Sequence, residues 1–370
     1  MTQTAIDVET LRDILDRGES VTVLDVRRAA DRAEWAIPGS IHVDAYDALR
    51  VGDPDALGGV NLPTEVPVVT VCNVGKNSMI AAERLRARGF EACSLAGGMK
   101  AWSLAWNSAE VSVPGGDACV VQVRRTGKGC LSYVVGSGGE AVAIDPSLDP
   151  EVYSKIAEHH AWSITGVLET HIHADHLSRS RKLAALHGAK LYLPEQGRVS
   201  FTFEQLRDGD AVKVGLVRIA AMRTPGHTLE STCYLLDDRA LFTGDTLFLE
   251  GVGRPDLEAS PEEARERAHA LYRSLRGILG LDIKSLVLPG HTSTPVPFDG
   301  KPLAGTLGAV RERVELLGAS EDAFVETILA RIPSAPSNHH RIVKSNEAGS
   351  LPEGDPTDLE AGANRCAVLG

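Results

Sequence analysis

Thr170-His171-Ile172-His173-Ala174-Asp175-His176 places three histidines and an aspartate within seven residues. The run Gly166-Val167-Leu168-Glu169 before it reads as a strand. Leu183 and Leu186 after it are spaced to share a helical face, with Gly188 as the stop. The cluster therefore falls on a loop between the C-terminal end of a strand and the start of a helix. Imidazole and carboxylate are the donors that zinc and iron use. A single histidine is most often a packing or surface residue, but four such groups in this order point to a metal.

One short loop cannot close a coordination sphere, so distant partners are needed, and three stretches supply them. Thr224-Pro225-Gly226-His227-Thr228 offers an imidazole on a turn. Phe242-Thr243-Gly244-Asp245-Thr246 offers a carboxylate at the end of an apolar run, and Pro289-Gly290-His291-Thr292 follows the strand-like Ser285-Leu286-Val287-Leu288. Each ligand-type side chain comes directly after a strand, beside a glycine that permits a sharp turn. In this order, His171 to His176, His227, Asp245 and His291 resemble the metal motifs of the metallo-β-lactamase fold. The resemblance covers about residues 118–345. It implies an αββα sandwich, two sheets packed between outer helices, with the metal at one edge.

The 370 residues exceed a typical single domain, and 43 % hydrophobic residues is ordinary for a globular chain. The net charge of −12 argues against a nucleic-acid partner. No apolar run reaches membrane-spanning length, and Met1 to Asp7 lacks the basic start and apolar core of a secretory signal. The spacing of the six cysteines fits neither a zinc module nor a disulfide scaffold, and a reducing cytoplasm is the simplest location. Five of them read as core or tail residues; Cys72 does not.

Val21 to Arg27 reads as a buried parallel strand, and Val66 to Val71 as another that runs into Cys72. Asn73-Val74-Gly75-Lys76-Asn77 follows, then a helix from about Ser78 to Arg88. A cysteine between a strand and a helix N-terminus sits among free backbone amides, which favour the nucleophilic thiolate or a bound sulfane anion. These residues, with Leu24-Asp25-Val26-Arg27, Ile37-Pro38-Gly39-Ser40 and Leu95 to Trp102, resemble the rhodanese domain. The resemblance implies an α/β fold, a parallel sheet flanked by helices, and a persulfide carried on Cys72. Arginines common in that family's loop are replaced here by Asn73 and Asn77, leaving Lys76 as the only loop cation. The expected organisation is a rhodanese-like domain over 1–106, a linker over 107–118, a metallo-β-lactamase-fold domain over 119–345 and a disordered, Gly-, Pro- and acid-rich tail over 346–370.

In the loop Phe248 to Leu257, Arg254 either grips a substrate carboxylate or braces the loop through Asp256. His339 and His340 read as helix-start or packing residues. Within the superfamily two chemistries compete. The glyoxalase II type hydrolyses a glutathione thioester with two metals, here two zincs per chain. The persulfide dioxygenase type oxidises a thiol persulfide to sulfite and thiol with one Fe(II). Carried over to this chain, the latter implies His171, His227 and Asp245 as iron ligands. His173, Asp175, His176 and His291 would then orient ligands, move protons or hold a second metal. Ala174, the Gly253-Arg254-Pro255-Asp256-Leu257 loop and above all the sulfur-transfer neighbour favour the dioxygenase. Glutathione persulfide, O2 and thiosulfate or sulfite are its expected partners, and a homodimer is compatible with it. A third reading makes the N-terminal domain a sulfur carrier or docking module only.

Overall fold

The computed structural model describes residues 4–336 and 338–370. Residues 1–3 of the N-terminal reading, and Ser337 beside the histidine pair, lie outside the described residues.

The first domain has strands β1 (Ala5–Ile6), β2 (Thr22–Asp25), β3 (Ile41–His42), β4 (Val68–Val71) and β5 (Ala92–Leu95). Its helices are α1 (Val8–Asp16), α2 (Ala29–Glu34), α3 (Tyr46–Arg50), α4 (Lys76–Ala87) and α5 (Gly98–Trp102). The sheet order is β1-β5-β4-β2-β3, and every pair is parallel. Parallel neighbours need crossovers, which put helices on both faces. The alternation of side chains along each strand then feeds two cores. Leu24 and Val68 pack towards Ala81 and Leu85 of α4, while Val23 and Val69 pack towards Leu11 of α1 and Trp102 of α5.

The second domain is an αββα sandwich. One sheet contains β6 (Asn107–Val111), β7 (Cys119–Arg125), β8 (Cys130–Ser137), β9 (Glu140–Ile144), β10 (Ser163–Leu168), β11 (Lys190–Pro194) and β12 (Glu204–Leu206), in the order β12-β11-β10-β9-β8-β7-β6. Helices α6 (Pro150–His159) and α7 (Ser180–His187) cover it. The other sheet contains β13 (Ala211–Val214), β14 (Val217–Arg223), β15 (Thr232–Leu236) and β16 (Ala240–Gly244), then β18 (Leu286–Pro289) and β19 (Gly305–Thr306). Between them in the chain come β17 (Gly251–Gly253) and α8 (Pro261–Ile278). Helix α8, with α9 (Leu307–Arg313) and α10 (Glu321–Arg331), covers the outer face of this sheet. Val135, Val142, Ile144, Ile219, Tyr234 and Phe242 fill the space between the sheets. Helix α7 buries Leu183 but leaves Leu186 exposed, so those two leucines do not share a core face. Among the described residues no helix is long and apolar enough to cross a membrane.

Two expected boundaries are wrong. Asn107–Val111, read as linker, is β6, paired antiparallel with β7 from Asn107↔Arg124 to Val111↔Val120. Its small and polar composition hid a strict buried–exposed alternation. The supposed disordered tail also folds: after α11 (His339–Ala348) come α12 (Thr357–Glu360) and β20 (Ala367–Leu369), which pairs with β17. Glu360 shows why it stays in place. It is fully buried, accepts hydrogen bonds from Arg125 Nη2 (2.9 Å), Arg179 Nη1 (3.1 Å) and the Leu177 amide (2.7 Å), and Lys128 Nζ donates to its carbonyl (2.8 Å). Arg125 and Arg179 are buried too, so one tail carboxylate neutralises two arginines that have little access to water.

Burial alone would raise the Glu360 carboxyl, but the Arg125 and Arg179 charges override it and lower it from 4.5 to about 2. A carboxyl depressed by folding stabilises fully above its unfolded value and loses that effect as pH falls through the folded value. Glu360→Gln should cost about 3–5 kcal/mol in urea unfolding of the full chain at pH 7. The gap from wild type should close as pH drops from about 4.5 towards 2. A gap constant across that window would show that the arginines do not depend on the carboxylate charge.

Candidate metal centre

The strand ends of the two sheets meet at one edge and deliver the polar groups there. β10 runs into the 169–176 loop, β14 into the turn bearing His227, β16 into Asp245 and β18 into His291. Glycine is required where these ends crowd. A Cβ on Gly244, whose φ is +47°, would sit 2.5 Å from Thr170 Oγ1, and one on Gly290 would sit 2.8 Å from Asp245 Oδ1.

His171, His227 and Asp245 come together, all buried, with one donor atom from each within 4.8 Å of the others. His171 Nε2 lies 3.9 Å and His227 Nε2 3.6 Å from Asp245 Oδ2. The hydrogen bonds behind them set the tautomers. Thr170 Oγ1 donates to Asp145 Oδ2 (2.8 Å), so it accepts from His171 Nδ1 (2.9 Å). His227 Nδ1 donates to the Arg254 carbonyl (2.7 Å), which can only accept. Both imidazoles therefore carry the proton on Nδ1 and turn a bare Nε2 inward. Burial, with the His173 charge, holds His171 well below its ordinary value, and burial lowers His227 despite Asp245, so folding favours the neutral form of both. His171 Nε2 and Asp245 Oδ2 are buried with no hydrogen-bond partner. Lone pairs converging without a proton between them leave buried acceptors uncompensated, and a bound cation removes that cost. The residues fit a metal ion.

The remaining predicted groups are mostly occupied with one another. His291 Nε2 bonds Asp175 Oδ2 (2.9 Å) and His291 Nδ1 bonds Asp245 Oδ1, so both nitrogens face carboxylates and both donate. Burial would lower its pKa, but Asp175 and Asp245 raise it well above the ordinary value. His176 Nδ1 pairs with Asp175 Oδ1 (3.1 Å). His173 Nε2 bonds Glu169 Oε2 (3.0 Å) and lies 3.3 Å from Asp145 Oδ1; against the effect of burial, these carboxylates raise its pKa well above the ordinary value. His173 Nδ1 and His176 Nε2 are buried and unpartnered.

The Arg254 side chain is engaged within the protein. It is 1 % exposed, clamps Asp256 through Nε (2.7 Å) and Nη2 (2.8 Å), and holds the carbonyls of Ser334 and Arg365 through Nη1. The bracing alternative holds, because the short Arg-Pro-Asp spacing lets the fork close on its own neighbour. Several site residues were not anticipated. Asp145 and Glu169 buttress the histidines, and Cys130 donates to Asp175 Oδ2 (3.2 Å). Burial and Asp175 would raise this thiol, but His176 and His291 bring it to about 7. Asn364 also donates to Asp175 Oδ2 (3.1 Å), and the Cys366 sulfur lies within 4.8 Å of donor atoms of Asp245 and His291. Asp145 and Glu169 carried a local signal, each a carboxylate directly after an apolar strand run, Ala141–Ile144 and Gly166–Leu168.

Cys72 ends β4 ahead of α4, whose cap Gly75 has φ +88°. Its loop is fastened from behind: the Met99 amide donates to the Cys72 carbonyl (2.8 Å) and the Lys100 amide to that of Asn73 (2.9 Å). A Cβ on Gly98 would sit 2.2 Å from the Cys72 carbonyl. The sulfur is 1 % exposed and accepts from Ser78 Oγ at 3.3 Å. Asn73 donates to Asp31 (3.0 Å) and Asn77 to the Tyr46 carbonyl (3.1 Å), while Val74 and Lys76 are exposed. Asn73 and Val74 border a cavity of about 290 Å³, whose far wall is Ala361 to Ala363 of the C-terminal segment.

This architecture is shared with known proteins. Residues 125–291 match the metallo-beta-lactamase superfamily and residues 7–105 the rhodanese-like domain. The uncharacterized protein ML0493 of Mycobacterium leprae is 31 % identical over 44 % of this chain and 86 % of its own length. A hydroxyacylglutathione hydrolase of Polaromonas sp. is 38 % identical over 41 % of this chain. The chain spans 57 % of that relative and 47 % of its counterpart from Rhodopseudomonas palustris. Among solved structures, a metallo-beta-lactamase from Staphylococcus aureus has 27 % identity and a TM-score of 0.58, covering 64 % of this chain and 74 % of its own. ETHE1 from Myxococcus xanthus has 28 % identity and a TM-score of 0.55, covering 62 % of this chain and 98 % of its own. The chain belongs to the metallo-beta-lactamase superfamily and carries a rhodanese-like domain ahead of that fold.

The Thr170 relay can be broken alone. Thr170→Val frees the His171 tautomer and should weaken metal binding by about 10–100-fold in a competition titration. Unchanged affinity would mean that the Asp145–Thr170 relay does not orient His171.

Proposed function

We propose that this chain is a non-haem Fe(II) persulfide dioxygenase whose N-terminal domain carries sulfane sulfur on Cys72. The observation that carries the reading is the division of the site's donors. His171 Nε2, His227 Nε2 and Asp245 Oδ2 point inward unprotonated, whereas both nitrogens of His291 are engaged by carboxylates. Two imidazoles and one carboxylate with open positions are the donor set of non-haem iron oxygenases. The likeness to ETHE1 and the sulfur-transfer neighbour fit this reading.

In the reaction a thiol persulfide, O2 and water give thiol, hydrogen sulfite and a proton. Bound Fe(II) would supply the electrons that make O2 reactive towards the outer sulfur. The chain's residues do the rest. Thr170 and the Arg254 carbonyl hold the two imidazoles in one tautomer. His291 lines the wall of a cavity of about 160 Å³ with Phe248, Leu249 and Thr292, and its two nitrogens hold Asp175 and Asp245 in place. Cys72 exchanges sulfane sulfur with thiosulfate, sulfite or thiol. Glutathione persulfide is the substrate we favour.

A zinc hydrolase has its own support. His173 Nδ1 and His176 Nε2 are buried without partners, as donors to two ions would be. The named relatives from Polaromonas and Rhodopseudomonas are hydroxyacylglutathione hydrolases.

An anaerobically purified full chain should hold one iron and consume O2 only when glutathione persulfide is added. Two zincs, no uptake and hydrolysis of S-lactoylglutathione would replace this reading with the hydrolase. His227→Ala should lose both iron and uptake. Cys72→Ser should abolish sulfur transfer and leave uptake of O2 with supplied persulfide within about twofold of wild type; loss of both activities would refute two separate sites.

A further inference from the structure

Cys130 stands at the metal edge and has no part in the chemistry above. We propose that its sulfur turns the corner of Asp175, His176 and His291 into a site for a thiophilic divalent cation, zinc, separate from the position among His171, His227 and Asp245. Donor atoms of Cys130, Asp175, His176 and His291 all lie within 4.8 Å of one another, and all four residues are buried. The Cys130 sulfur is 3.2 Å and His291 Nε2 2.9 Å from Asp175 Oδ2, while His176 Nδ1 is 3.1 Å from Asp175 Oδ1. His176 Nε2 is buried without a hydrogen-bond partner. Because Nδ1 donates to the carboxylate, a neutral His176 carries its lone pair on that unpartnered nitrogen.

The backbone fixes this meeting. Cys130 opens β8 and faces His291 in an antiparallel bridge. The Leu131 amide donates to the Gly290 carbonyl (2.7 Å), and the Thr292 amide to the Gly129 carbonyl (2.9 Å). These bonds flank the pair, so Cys130 and His291 occupy a non-hydrogen-bonded position, where facing side chains come closest. Gly129, with φ +97°, permits the approach: a Cβ there would sit 2.6 Å from the Thr292 carbonyl. Opposite, Asn346 Nδ2 donates to the carbonyls of His173 (2.8 Å) and His176 (2.9 Å), which ties down the loop bearing Asp175 and His176. The donors thus reach the corner from separately anchored segments.

Sulfur sets this corner apart, since the first position offers only nitrogen and oxygen. One thiolate, two imidazoles and one carboxylate make a zinc donor set, and thiolate selects the softer ion. On binding, the thiol and one His291 nitrogen give their protons to solvent, and the hydrogen bonds within the corner give way to coordination. The corner therefore fills after the first position. The inference concerns these four residues alone and holds whether the first position carries iron or zinc.

Cobalt(II) titration of the metal-depleted, reduced full chain tests it, because cobalt reports a thiolate ligand as a near-ultraviolet charge-transfer band. In wild type the band should grow with the second equivalent of cobalt, and added zinc should bleach it. Cys130→Ser should lose the band and still bind the first equivalent, and His176→Ala should weaken the second. Cys72→Ser and Cys366→Ser should keep the band. A second equivalent bound without the band, no second equivalent in wild type, or a band that survives Cys130→Ser would overturn the proposal. Iron content and O2 uptake of iron-loaded samples decide the dioxygenase reading separately.

Discussion

A carboxylate buried among imidazoles has to find a proton, a cation or a metal, and this one constraint organises the edge of the sandwich. Asp145, Asp175, Glu169 and Asp245 enter that edge almost without exposure. Three histidines answer them: His173 binds Glu169 beside Asp145, His176 binds Asp175, and His291 spans Asp175 and Asp245. What remains after these pairings is Asp245 Oδ2, faced by two imidazoles whose protons are held on the far side. In a low-dielectric pocket that remainder is costly unless an ion fills it.

The same constraint explains the C-terminal segment. Arg125 leaves β7 at the tip of a hairpin pressed against the first domain, where its Nε donates to the Ser103 carbonyl (2.7 Å). Trp35 of the first domain donates to the Thr126 carbonyl at the same tip (3.1 Å). A guanidinium in that position has no water to solvate it, and Glu360 supplies the compensating charge. Fixing Glu360 then draws residues 361–366 past the Cys72 loop and onto the metal edge. Charge neutralisation at an interdomain contact thus places Asn364 and Cys366.

Those dependencies mark the limit of what could be read from residues in order. The strand ends bearing His171, His227, Asp245 and His291 were legible, because an apolar run followed by glycine and a ligand is a local pattern. The parallel sheet before Cys72 was legible for the same reason. Glu360, Asn364 and Cys366 had no such signal. A lone carboxylate in a Gly- and Pro-rich stretch resembles solvated chain until the arginines it meets, 181 and 235 residues away, are known. β6 was missed because Ser108 and Ala109 are too small to announce a strand by hydrophobicity. For Arg254 the residues left two readings open, and the bond to Asp256, two residues on, is the one the structure forms.

The two candidate ion positions are not equivalent, and the difference bears on the chemistry. An ion among His171, His227 and Asp245 takes up His171 Nε2 and Asp245 Oδ2, which already lack partners. One among Asp175, His176 and His291 must take the Asp175 oxygens from His176, His291, Cys130 and Asn364, and must expel a proton from an imidazolium held between two carboxylates. Losing even one charge-assisted hydrogen bond costs about 1.5–3 kcal/mol, so the first position fills at lower ion concentration than the second. An ion at the first position alone would leave both His291 bonds to its carboxylates intact. Such an arrangement would suit a reaction that needs open coordination more than one that needs a hydroxide bridging two metals.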